Sequence, residues 1–485
     1  NLSKGEKTVN TPNIIFLIED QMQRRVLEES SGCKLENMRT LMRDGVEFER
    51  AYTCNAICSP ARASLLTGTL PHTHGMVDCT HTVPAYRAEY DYSLDTLTNA
   101  LHDGGYAISY YGKWHIEREH DLSRFGIERF ETEVHLPRHP ATMIDRMVLK
   151  TPGYQDKTIC GVFAEGEAET DEHYIYDRSM EFMAQCKQED KPFCAFLSTN
   201  APHDPYCVPK EIYDLYADVP MELPKNHYDS MQDKPRIYRR MREALGKLSG
   251  EDYRKTMRCY YSYCTLVDIQ VGRLTRFLKE QGLYDNTLIV LMSDHGDMMG
   301  AHGLMMKSVP CFEEIYHIPL VMKLPHQQKA GTKAGFYVGT QEIAPTVLEL
   351  VGCRSLSGKH VGESVVPWLS GEKTDSRHAF AEFFGQRYFY TQRIFWKDQM
   401  KYVFNAFDDD ELYDLASDPD ELMNVIDQQD YQEIKKELCA QMWEVIKETE
   451  DATLADAEYY LMRFAPVGPG EKKLPGSYTL YNKTF

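Results

Sequence analysis

The chain lacks the features that mark several large classes of protein. It has no apolar run near the roughly 20 residues that a membrane-spanning helix needs. Its longest apolar stretches, such as Ile14–Ile18 and Leu288–Met292, have the length of strands. It also lacks an internal repeat and a low-complexity tract, which argues against a solenoid or a fibrous array. The polar start, Asn1–Lys7, does not resemble a signal peptide, although a signal could have been removed before it.

Positive charge is scarce as well. The sequence has 54 Lys and Arg against 74 Asp and Glu, a formal net charge of −20. Nucleic acids and anionic membranes bind basic surfaces, so we expect neither as a partner. A small anionic substrate stays compatible with this composition, because a local group of cations outweighs distant negative charge that salt screens.

Regular cysteine spacing is also missing. The 13 cysteines follow no repeat and include no Cys-x-x-Cys pair, whereas a secreted disulfide framework is short and regular. We therefore expect mostly buried, unreactive thiols. This usage favours a reducing cytoplasm or an anaerobic host, with a periplasmic location open if a signal was removed.

What is present is a recurring pattern, in which a short apolar run leads directly into polar, chemically capable residues. The four clearest runs are Ile14–Ile18, Ala107–Tyr111, Phe193–Leu197 and Leu288–Met292. Continuous apolar runs of this length are typical of strands buried on both faces, as in parallel sheets. Between the runs, Asp252–Gln281 carries apolar residues at helical spacing and is followed by Gly282, a helix stop signal. Alternating strands and helices predict an α/β fold.

The polar residues that follow these runs are expected to lie together. In open α/β sheets, ligands bind beyond the carboxyl ends of the strands. The pattern therefore predicts that one edge of the sheet gathers Asp20, Gln21, Lys113, His115, His203, Asp294 and His295.

The sequence changes character after about Lys373. Short aromatic-rich segments, Phe380–Phe384, Arg387–Trp396 and Met400–Phe404, predict an antiparallel sheet. Glu411–Leu415 is interpreted as part of a turn-rich connector, and a helix is expected over Asp430–Glu448, followed by a coil tail after Pro466. We predict a catalytic domain over residues 1–375 and a smaller α+β subdomain over residues 376–485.

Four of the converging residues are candidate metal ligands. The carboxylates of Asp20 and Asp294 and the amide oxygen of Gln21 suit a hard divalent cation such as Ca²⁺ or Mg²⁺. His295 is tolerated by calcium but also suits Mn²⁺ or a softer metal. The structural alternative is that Asp294 and His295 only begin a helix after a strand, and that alternative loses ground because a second acidic strand end is present.

Cys58 allows three interpretations. It could be a structural thiol, a thiolate nucleophile whose pKa is lowered by Arg62, or a residue that is modified after synthesis. The spacing Cys-x-Pro-x-Arg followed by Leu-x-Thr-Gly, over Cys58–Gly68, favours modification. A thiolate enzyme needs a partner base and has no need for this strict spacing.

This segment resembles the signature of the type I, formylglycine-dependent sulfatases of the alkaline phosphatase superfamily. Further segments match that family in order, from Pro12 to about Asn424, and they include Gly112–His115, Ala201–Tyr206 and Ser293–Lys307. The resemblance implies an alkaline phosphatase-like fold, in which helices cover both faces of a large mixed, mostly parallel sheet. Many members have Asp-Asp where this chain has Asp20-Gln21, and Asn where it has His295.

The resemblance also implies a division of roles. A formylglycine-generating enzyme would oxidise Cys58, and the hydrated aldehyde, held by a divalent metal, most plausibly Ca²⁺, would attack sulfur. The implied metal ligands are Asp20, Gln21, Asp294 and His295, together with residue 58. Arg62 would help hold the attacking oxygen, and Lys113, Lys307 and His203 would face the sulfuryl oxygens. Either His203 or Lys307 would protonate the leaving alcohol. His115 would act as the base that releases sulfate.

Each assignment has a structural alternative, since lysines are usually solvated and isolated histidines usually belong to a core. The common order and spacing of the motifs favour function for the whole set. His302 and His74 are further candidates near the substrate, whereas Tyr86, Arg87 and Arg138 are leaving-group candidates on polarity alone.

These residues favour a sulfuric ester hydrolase that acts on a sulfated carbohydrate. A phosphonate monoester or phosphodiester hydrolase of the same superfamily is the alternative, because those enzymes share the formylglycine. A catalytically inactive binding protein is disfavoured, since no expected catalytic residue is missing. The sequence leaves the oligomeric state, the native metal and the position of the sulfate open.

Overall fold

The computed structural model describes residues 11–455, apart from 86, 137–141, 151–154, 247, 308, 387–389 and 407, together with residues 468–469. Tyr86, Arg138 and nearly all of the tail after Pro466 lie outside the described residues. The fold is α/β, as expected, with one large sheet and two small ones.

The strands are numbered in chain order. They are β1 Asn13–Glu19, β2 Val46–Tyr52, β3 Ala107–Gly112, β4 Arg129–Thr132, β5 Met143–Leu149, β6 Lys157–Phe163, β7 Phe193–Thr199, β8 Tyr206–Pro209, β9 Thr287–Ser293, β10 Leu320–Lys323, β11 Thr332–Gly339, β12 His378–Phe383, β13 Gln392–Lys397, β14 Met400–Asn405 and β15 Glu411–Asp414.

The α-helices follow in the same order. They are α1 Glu36–Asp44, α2 Cys58–Thr67, α3 Pro71–His74, α4 Leu97–Asp103, α5 Asp171–Gln188, α6 Lys210–Asp214, α7 Arg236–Leu245, α8 Gly250–Glu280, α9 Glu313–Tyr316, α10 Ile343–Val351, α11 Val366–Ser370, α12 Gln432–Glu448 and α13 Ala452–Ala455.

The large sheet has eight strands in the order β11-β2-β10-β9-β1-β7-β3-β4. Its centre is parallel, because β1 pairs with both β7 and β9, and β3 pairs with β7 and β4 in the same direction. Strand β10 runs antiparallel to β9 and β2, which makes the sheet mixed but mostly parallel. The four predicted apolar runs are thus confirmed as β1, β3, β7 and β9.

Helices cover both faces of this sheet. Alternate residues of β1 point to opposite layers: Phe16 packs in the cluster that includes helices α2, α4 and α10, and Leu17 in the cluster that includes α1, α5 and α8. Burial on both faces explains why these strands are continuously apolar. The long helix α8 begins with a capping box between Ser249 and Asp252, close to its predicted start.

The C-terminal residues form the predicted antiparallel sheet, in the order β12-β13-β14-β15, with α12 packed beside it. The interpretation of Glu411–Leu415 as a connector was wrong, because Glu411–Asp414 pairs with β14 as an edge strand. The division of the chain near residue 375 stays a prediction. A third sheet, β5-β6-β8, was not expected. None of the described helices combines the length and the apolar character that crossing a membrane requires.

Candidate active site

The carboxyl ends of four strands of the large sheet meet at one edge and carry the predicted residues. Asp20 and Gln21 follow β1, Lys113 follows β3, and Asp294 and His295 follow β9. His203 lies in the loop beyond β7. The parallel register of β1 with both β7 and β9 aligns these ends, so residues far apart in the chain come together.

Cys58 lies at the centre of this edge, as the first residue of α2. The whole of α2 is buried, and Cys58 itself is 1% exposed. Its Sγ lies 3.0 Å from Nζ of Lys307, 3.2 Å from Nε2 of His295 and 3.8 Å from Nζ of Lys113. Burial alone would raise the pKa of this thiol, but the nearby Lys113 and Lys307 ammonium groups and His295 hold it well below its usual value. The arrangement stabilises negative charge at position 58.

Arg62 lies one helical turn after Cys58 and binds the acidic residues beside it. Its Nε is 2.7 Å from Oδ2 of Asp294, and its Nη2 is 3.0 Å from Oδ2 of Asp20. Its Nη1 donates to the Lys113 carbonyl oxygen at 2.8 Å and to Oγ of Ser198 at 2.6 Å. These contacts give Arg62 a positioning role, in which it fixes two carboxylates with one planar group.

Asp20, Asp294 and His295 form a cluster suited to a divalent cation. One ligand atom from each, together with Cys58 Sγ, lies within 4.8 Å of all the others, and all four residues are buried. Nδ1 of His295 lies 2.9 Å from the Gly296 carbonyl oxygen. A proton on Nδ1 would satisfy that contact and leave the Nε2 lone pair directed into the cluster, as in metal-binding histidines.

Gln21 also turns its amide oxygen into this site. Its Nε2 donates to Oδ2 of Asp297 at 2.6 Å, while its Oε1 accepts from Nζ of Lys307 at 2.9 Å. Oδ2 of Asp297 also accepts from the Tyr206 hydroxyl at 2.6 Å. Two carboxylates, an amide oxygen and one imidazole nitrogen fit a hard divalent cation such as Ca²⁺, with Mg²⁺ or Mn²⁺ also compatible.

Two buried lysines balance the carboxylates. Nζ of Lys113 lies 2.6 Å from Oδ2 of Asp20, and Nζ of Lys307 lies 4.0 Å from Oδ1 of the same residue. Burial lowers the pKa of each ammonium group, but the charges of Asp20 and of Cys58 more than compensate and raise it. Burial would likewise raise the pKa of Asp20, yet Lys113, His203 and Lys307 keep it far below its usual range. Both lysines therefore stay charged.

The two predicted catalytic histidines border the cavity above Cys58. His203 is partly exposed, and its Nδ1 lies 2.6 Å from the Asp204 carbonyl oxygen. His115 is buried, with a left-handed backbone (φ 56°), and burial followed by the nearby Lys113 charge lowers its pKa. Its Nε2 lies 2.5 Å from Nδ1 of His81. A neutral imidazole at this position is suited to accept a proton.

The cavity has a volume of about 1020 Å³, with Cys58, Lys113, His115, His203 and Lys307 in its wall. Sequence reasoning missed other residues of the wall. These include Cys79, His81, Arg118, His120, Lys157 and Gln386. They lie in loops and in β6, and no motif or periodicity in the sequence distinguishes them. Lysine, arginine and histidine side chains give the wall cations that suit an anionic substrate.

Two predicted substrate residues lie away from this cavity. His302 is fully buried, with Nδ1 2.8 Å from Oδ2 of Asp229 and its ring stacked on Phe312 at 3.7 Å. His74 is also buried; its Nε2 lies 2.9 Å from Oγ of Ser64, and burial lowers its pKa to about 3. The expectation that His302 lines the substrate side was therefore wrong, and His74 likewise belongs to the packing behind the site.

Arg87 does not line the cavity either. Its Nη2 lies 3.1 Å from Oδ2 of Asp78 and 3.5 Å from the Phe384 carbonyl oxygen. These contacts join the loop before α4 to the segment that follows β12. Arg87 therefore holds these two segments together. Its position does not support the suggestion that it contacts a leaving group.

Two ammonium groups directed at one buried nucleophile position suit a substrate with a tetrahedral oxyanion. Hydrolases that cleave esters of such acids are the class that this fold and site define.

The chain belongs to the sulfatase family, in the alkaline phosphatase superfamily, and is a sulfuric ester hydrolase. The family model named Sulfatase matches residues 12–353, and the model named N-sulphoglucosamine sulphohydrolase, C-terminal, matches residues 300–448. The first of these covers well over half of the chain, which establishes the family.

Named relatives agree with this assignment. The chain is 27% identical to the uncharacterized sulfatase YidJ of Escherichia coli over 453 residues, covering 88% of this chain and 85% of the relative. It is 24% identical to the N-acetylglucosamine-6-O-sulfatase of Bacteroides thetaiotaomicron over 530 residues, covering 93% of this chain and 89% of the relative.

Solved structures share the fold. A protein solved in complex with its substrate, D-glucosamine-2-N,6-O-disulfate, has a TM-score of 0.73 at 22% identity, covering 92% of this chain and 100% of that one. The phosphonate monoester hydrolase of Silicibacter pomeroyi has a TM-score of 0.76 at 20% identity, covering 95% and 100%. At these identities the likeness shows the fold alone, so it does not separate sulfate from phosphonate substrates.

Proposed function

We propose that this sulfatase releases inorganic sulfate from a sulfated carbohydrate, with a formylglycine derived from Cys58 and a divalent metal as its cofactors. The observation that carries the proposal is the position of Cys58. Its side chain lies at the floor of the cavity, within 4 Å of Lys113, Lys307, His295 and Asp20. A group at this position faces substrate on one side and candidate metal ligands on the other.

Residues of this site could hold both the metal and the formylglycine. A divalent cation, with Ca²⁺ favoured by the oxygen-rich set, would be held by Asp20, Gln21, Asp294 and His295, and it would supply positive charge next to residue 58. A formylglycine at position 58 would supply a hydrated aldehyde, which offers one hydroxyl for attack and a second for release of sulfate.

The protein's own cations would bind and orient the sulfate group. Nζ of Lys113 and Nζ of Lys307 lie 3.8 Å and 3.0 Å from Sγ of Cys58, on the cavity side of the carboxylates. Both remain protonated, as their raised pKa values indicate. Fixed ammonium groups stabilise the charge that grows on the sulfuryl oxygens as the ester bond breaks, without reorganising at that moment.

Two histidines are placed to move protons. Contact of Nδ1 of His203 with a backbone carbonyl fixes its ring, and its Nε2 lies 4.0 Å from Oδ1 of Asp20, beside the cavity. We assign it the protonation of the leaving alcohol, with Lys307 as the alternative donor. His115, whose lowered pKa keeps it neutral, would accept the proton that a hydrated aldehyde at position 58 must lose when sulfate leaves.

A carbohydrate substrate fits the size and polarity of the cavity. A volume of about 1020 Å³ accommodates a sugar residue or a disaccharide, and the wall contains both cations and carboxylates such as Glu117, Glu133 and Asp171. The relative named as an N-acetylglucosamine-6-O-sulfatase supports the same substrate class.

The test is sulfate release by protein produced together with a formylglycine-generating enzyme. Sulfated mono- and disaccharides are compared with an aryl sulfate and an aryl phosphonate ester, and Cys58→Ser serves as the inactive control. We expect sulfate release from at least one sugar and a loss of at least about a thousandfold in the control, since an ordinary serine ester has no second hydroxyl to release sulfate.

Each other outcome has a defined meaning. Preferential turnover of the phosphonate ester would replace the proposal with the phosphonate hydrolase alternative. Full activity of Cys58→Ser would remove the formylglycine mechanism. If no substrate is turned over although mass spectrometry shows the aldehyde at position 58, the carbohydrate proposal fails.

A further inference from the structure

A second group of metal-binding side chains lies in the wall of the same cavity. Cys79, His81 and His115 each contribute one ligand atom, and the three atoms lie within 4.8 Å of one another. Sγ of Cys79 is 3.5 Å from Nδ1 of His81 and 3.5 Å from Nε2 of His115. The proposed reaction uses only His115 from this group, so the convergence of a thiol and a second imidazole on the same point needs another explanation.

We propose that Cys79, His81 and His115 form a second cation site, selective for a thiophilic divalent ion such as Zn²⁺, whose occupation inhibits the enzyme. The inhibition rests on the proposed function, because it acts by removing the base His115. The binding itself does not depend on that function.

The distances between the three ligand atoms support this site. Zinc binds sulfur at about 2.3 Å and imidazole nitrogen at about 2.0–2.1 Å, so tetrahedral geometry places a sulfur and a nitrogen ligand about 3.5 Å apart. Both sulfur–nitrogen distances in the group have this value. The nitrogen–nitrogen distance, 2.5 Å between His81 and His115, must widen to about 3.3 Å. His81 is exposed, so its ring can make this adjustment.

The chemistry of the ligands separates this site from the first one. The first site offers three oxygen ligands, from Asp20, Asp294 and Gln21, and one imidazole nitrogen, from His295, whereas the second group offers one sulfur and two nitrogens. A soft or borderline ion therefore prefers the second site. All three of its residues line the cavity, which gives the ion a route of entry and leaves a fourth coordination position for water.

The surroundings of His115 indicate how tightly this site should bind a metal ion. Its Nδ1 is buried and has no hydrogen-bond partner among the described residues, whereas a histidine in a structural zinc site usually donates this N–H to a fixed acceptor. The ring is therefore less well held than in a structural site. We expect reversible binding that a chelator removes, in contrast to a permanent zinc ion.

The decisive experiment is a titration with Co²⁺ in the Cys58→Ser background. In this variant the described part of the cavity wall has a single thiol, that of Cys79. Cobalt bound there should give a thiolate-to-metal charge-transfer band in the near ultraviolet, with a stoichiometry of one. The band should disappear in the further variant Cys79→Ser. In His81→Ala the affinity for Co²⁺ should fall at least about tenfold, because losing even a residue that only hydrogen-bonds to a metal ligand costs about tenfold or more in metal affinity.

Two matched controls accompany these variants. His120→Ala removes another histidine of the same wall, and Cys353→Ser removes a partly exposed thiol that is not in the wall. Both should leave the band unchanged. Absence of the band in the parent, or its persistence in Cys79→Ser, would overturn the site. Thermal unfolding verifies that each variant is folded, and His81→Ala, at an exposed position, keeps the test decisive if Cys79→Ser does not fold.

A second arm tests inhibition in the modified, active enzyme. Zn²⁺ should abolish turnover reversibly, excess Ca²⁺ should not relieve the inhibition, and the concentration for half-inhibition should rise at least about tenfold in His81→Ala relative to His120→Ala. Cobalt binding without zinc inhibition would reject the inhibitory role alone. If the enzyme shows no turnover at all, the cobalt arm still decides the site, so the two proposals fail separately.

Discussion

Nε of Arg62 lies 2.7 Å from Oδ2 of Asp294, and this contact fixes a carboxylate that follows β9 to a residue of α2. The two residues are 232 positions apart in the chain, and both are almost completely buried. The same guanidinium holds Asp20 through Nη2. One side chain therefore sets the relative position of the two candidate carboxylate ligands.

The first prediction follows from this contact. Arg62→Met should destabilise the metal-free protein by about 3–5 kcal/mol, because two buried carboxylates lose a charged partner and Asp20 keeps only its lysines. Added Ca²⁺ should restore more stability in the variant than in the parent, since the ion then replaces the positive charge of the lost guanidinium. Thermal unfolding with EDTA and with Ca²⁺, in the Cys58→Ser background, measures both effects. An equal calcium response in parent and variant would contradict the prediction.

The second prediction concerns His295. His295→Ala should weaken Ca²⁺ binding at least about tenfold, because it removes one of four candidate ligands from a buried cluster. His295→Asn should retain part of the affinity, since the asparagine offers an oxygen in the same direction. Isothermal titration calorimetry gives both affinities. Unchanged metal content and rate in His295→Ala would show that this residue is not a ligand.

The third prediction concerns Asp297, which fixes the amide of Gln21. Asp297→Asn should lower Ca²⁺ affinity and kcat by about 10–100-fold, because the new amide competes with the donor that Gln21 directs at it. Tyr206→Phe is the matched control, since it removes another hydrogen bond to Oδ2 of Asp297 and a long 3.4 Å contact with Nε2 of Gln21, but leaves the short hydrogen bond between Gln21 and Asp297. We expect a smaller loss there. Equal losses in both variants would indicate a general effect of packing instead.

The fourth prediction concerns the pH dependence of stability. Nδ1 of His72 lies 2.6 Å from Oε1 of Glu382, and its Nε2 lies 2.8 Å from the Thr449 carbonyl oxygen. Burial alone would lower the pKa of His72, but the charge of Glu382 and these hydrogen bonds raise it. The pKa of His72 is thus higher in the folded protein than in the unfolded one, where it is about 6.5. The stabilisation that protonated His72 provides is fully present below about pH 6.5, and it is lost as the pH rises through the pKa of the folded protein.

His72→Gln should therefore lower the melting temperature more at pH 5.5 than at pH 9. Glu382→Gln should reduce the same pH dependence, because it removes the charge that raises the pKa of His72. Melting curves across this range provide the measurement. If the difference in melting temperature between the parent and His72→Gln does not vary with pH, the prediction is wrong.

The sequence predicted those parts of the molecule whose signals are local. The strands β1, β3, β7 and β9 are recognisable because burial on both faces requires a continuous apolar run. The candidate metal ligands follow directly from two of these runs, so their convergence could be predicted from the general behaviour of α/β sheets. The signature that begins at Cys58 is contiguous, and it needs no knowledge of the fold.

The features that were missed depend on distant partners. His302 lies close to Lys307 in sequence, but its ring binds Asp229 and packs on Phe312, and neither contact is visible in the local pattern. Strand β5 is exposed over its first four residues and lacks the alternation that identifies a half-buried strand. Cys79 and His81 approach His115 only through the path of a loop.

The order of strands in the large sheet has a consequence for the synthesis of this protein. Strand β1 is made first, yet its neighbours β7 and β9 are complete only after residues 199 and 293 have been added. Until then an apolar segment, Asn13–Glu19, has no pairing partner and is prone to associate with other chains. A fragment that ends before β9 would therefore leave β1 without one of its two neighbours, and we expect the nascent chain to be most prone to association before residue 293 has left the ribosome.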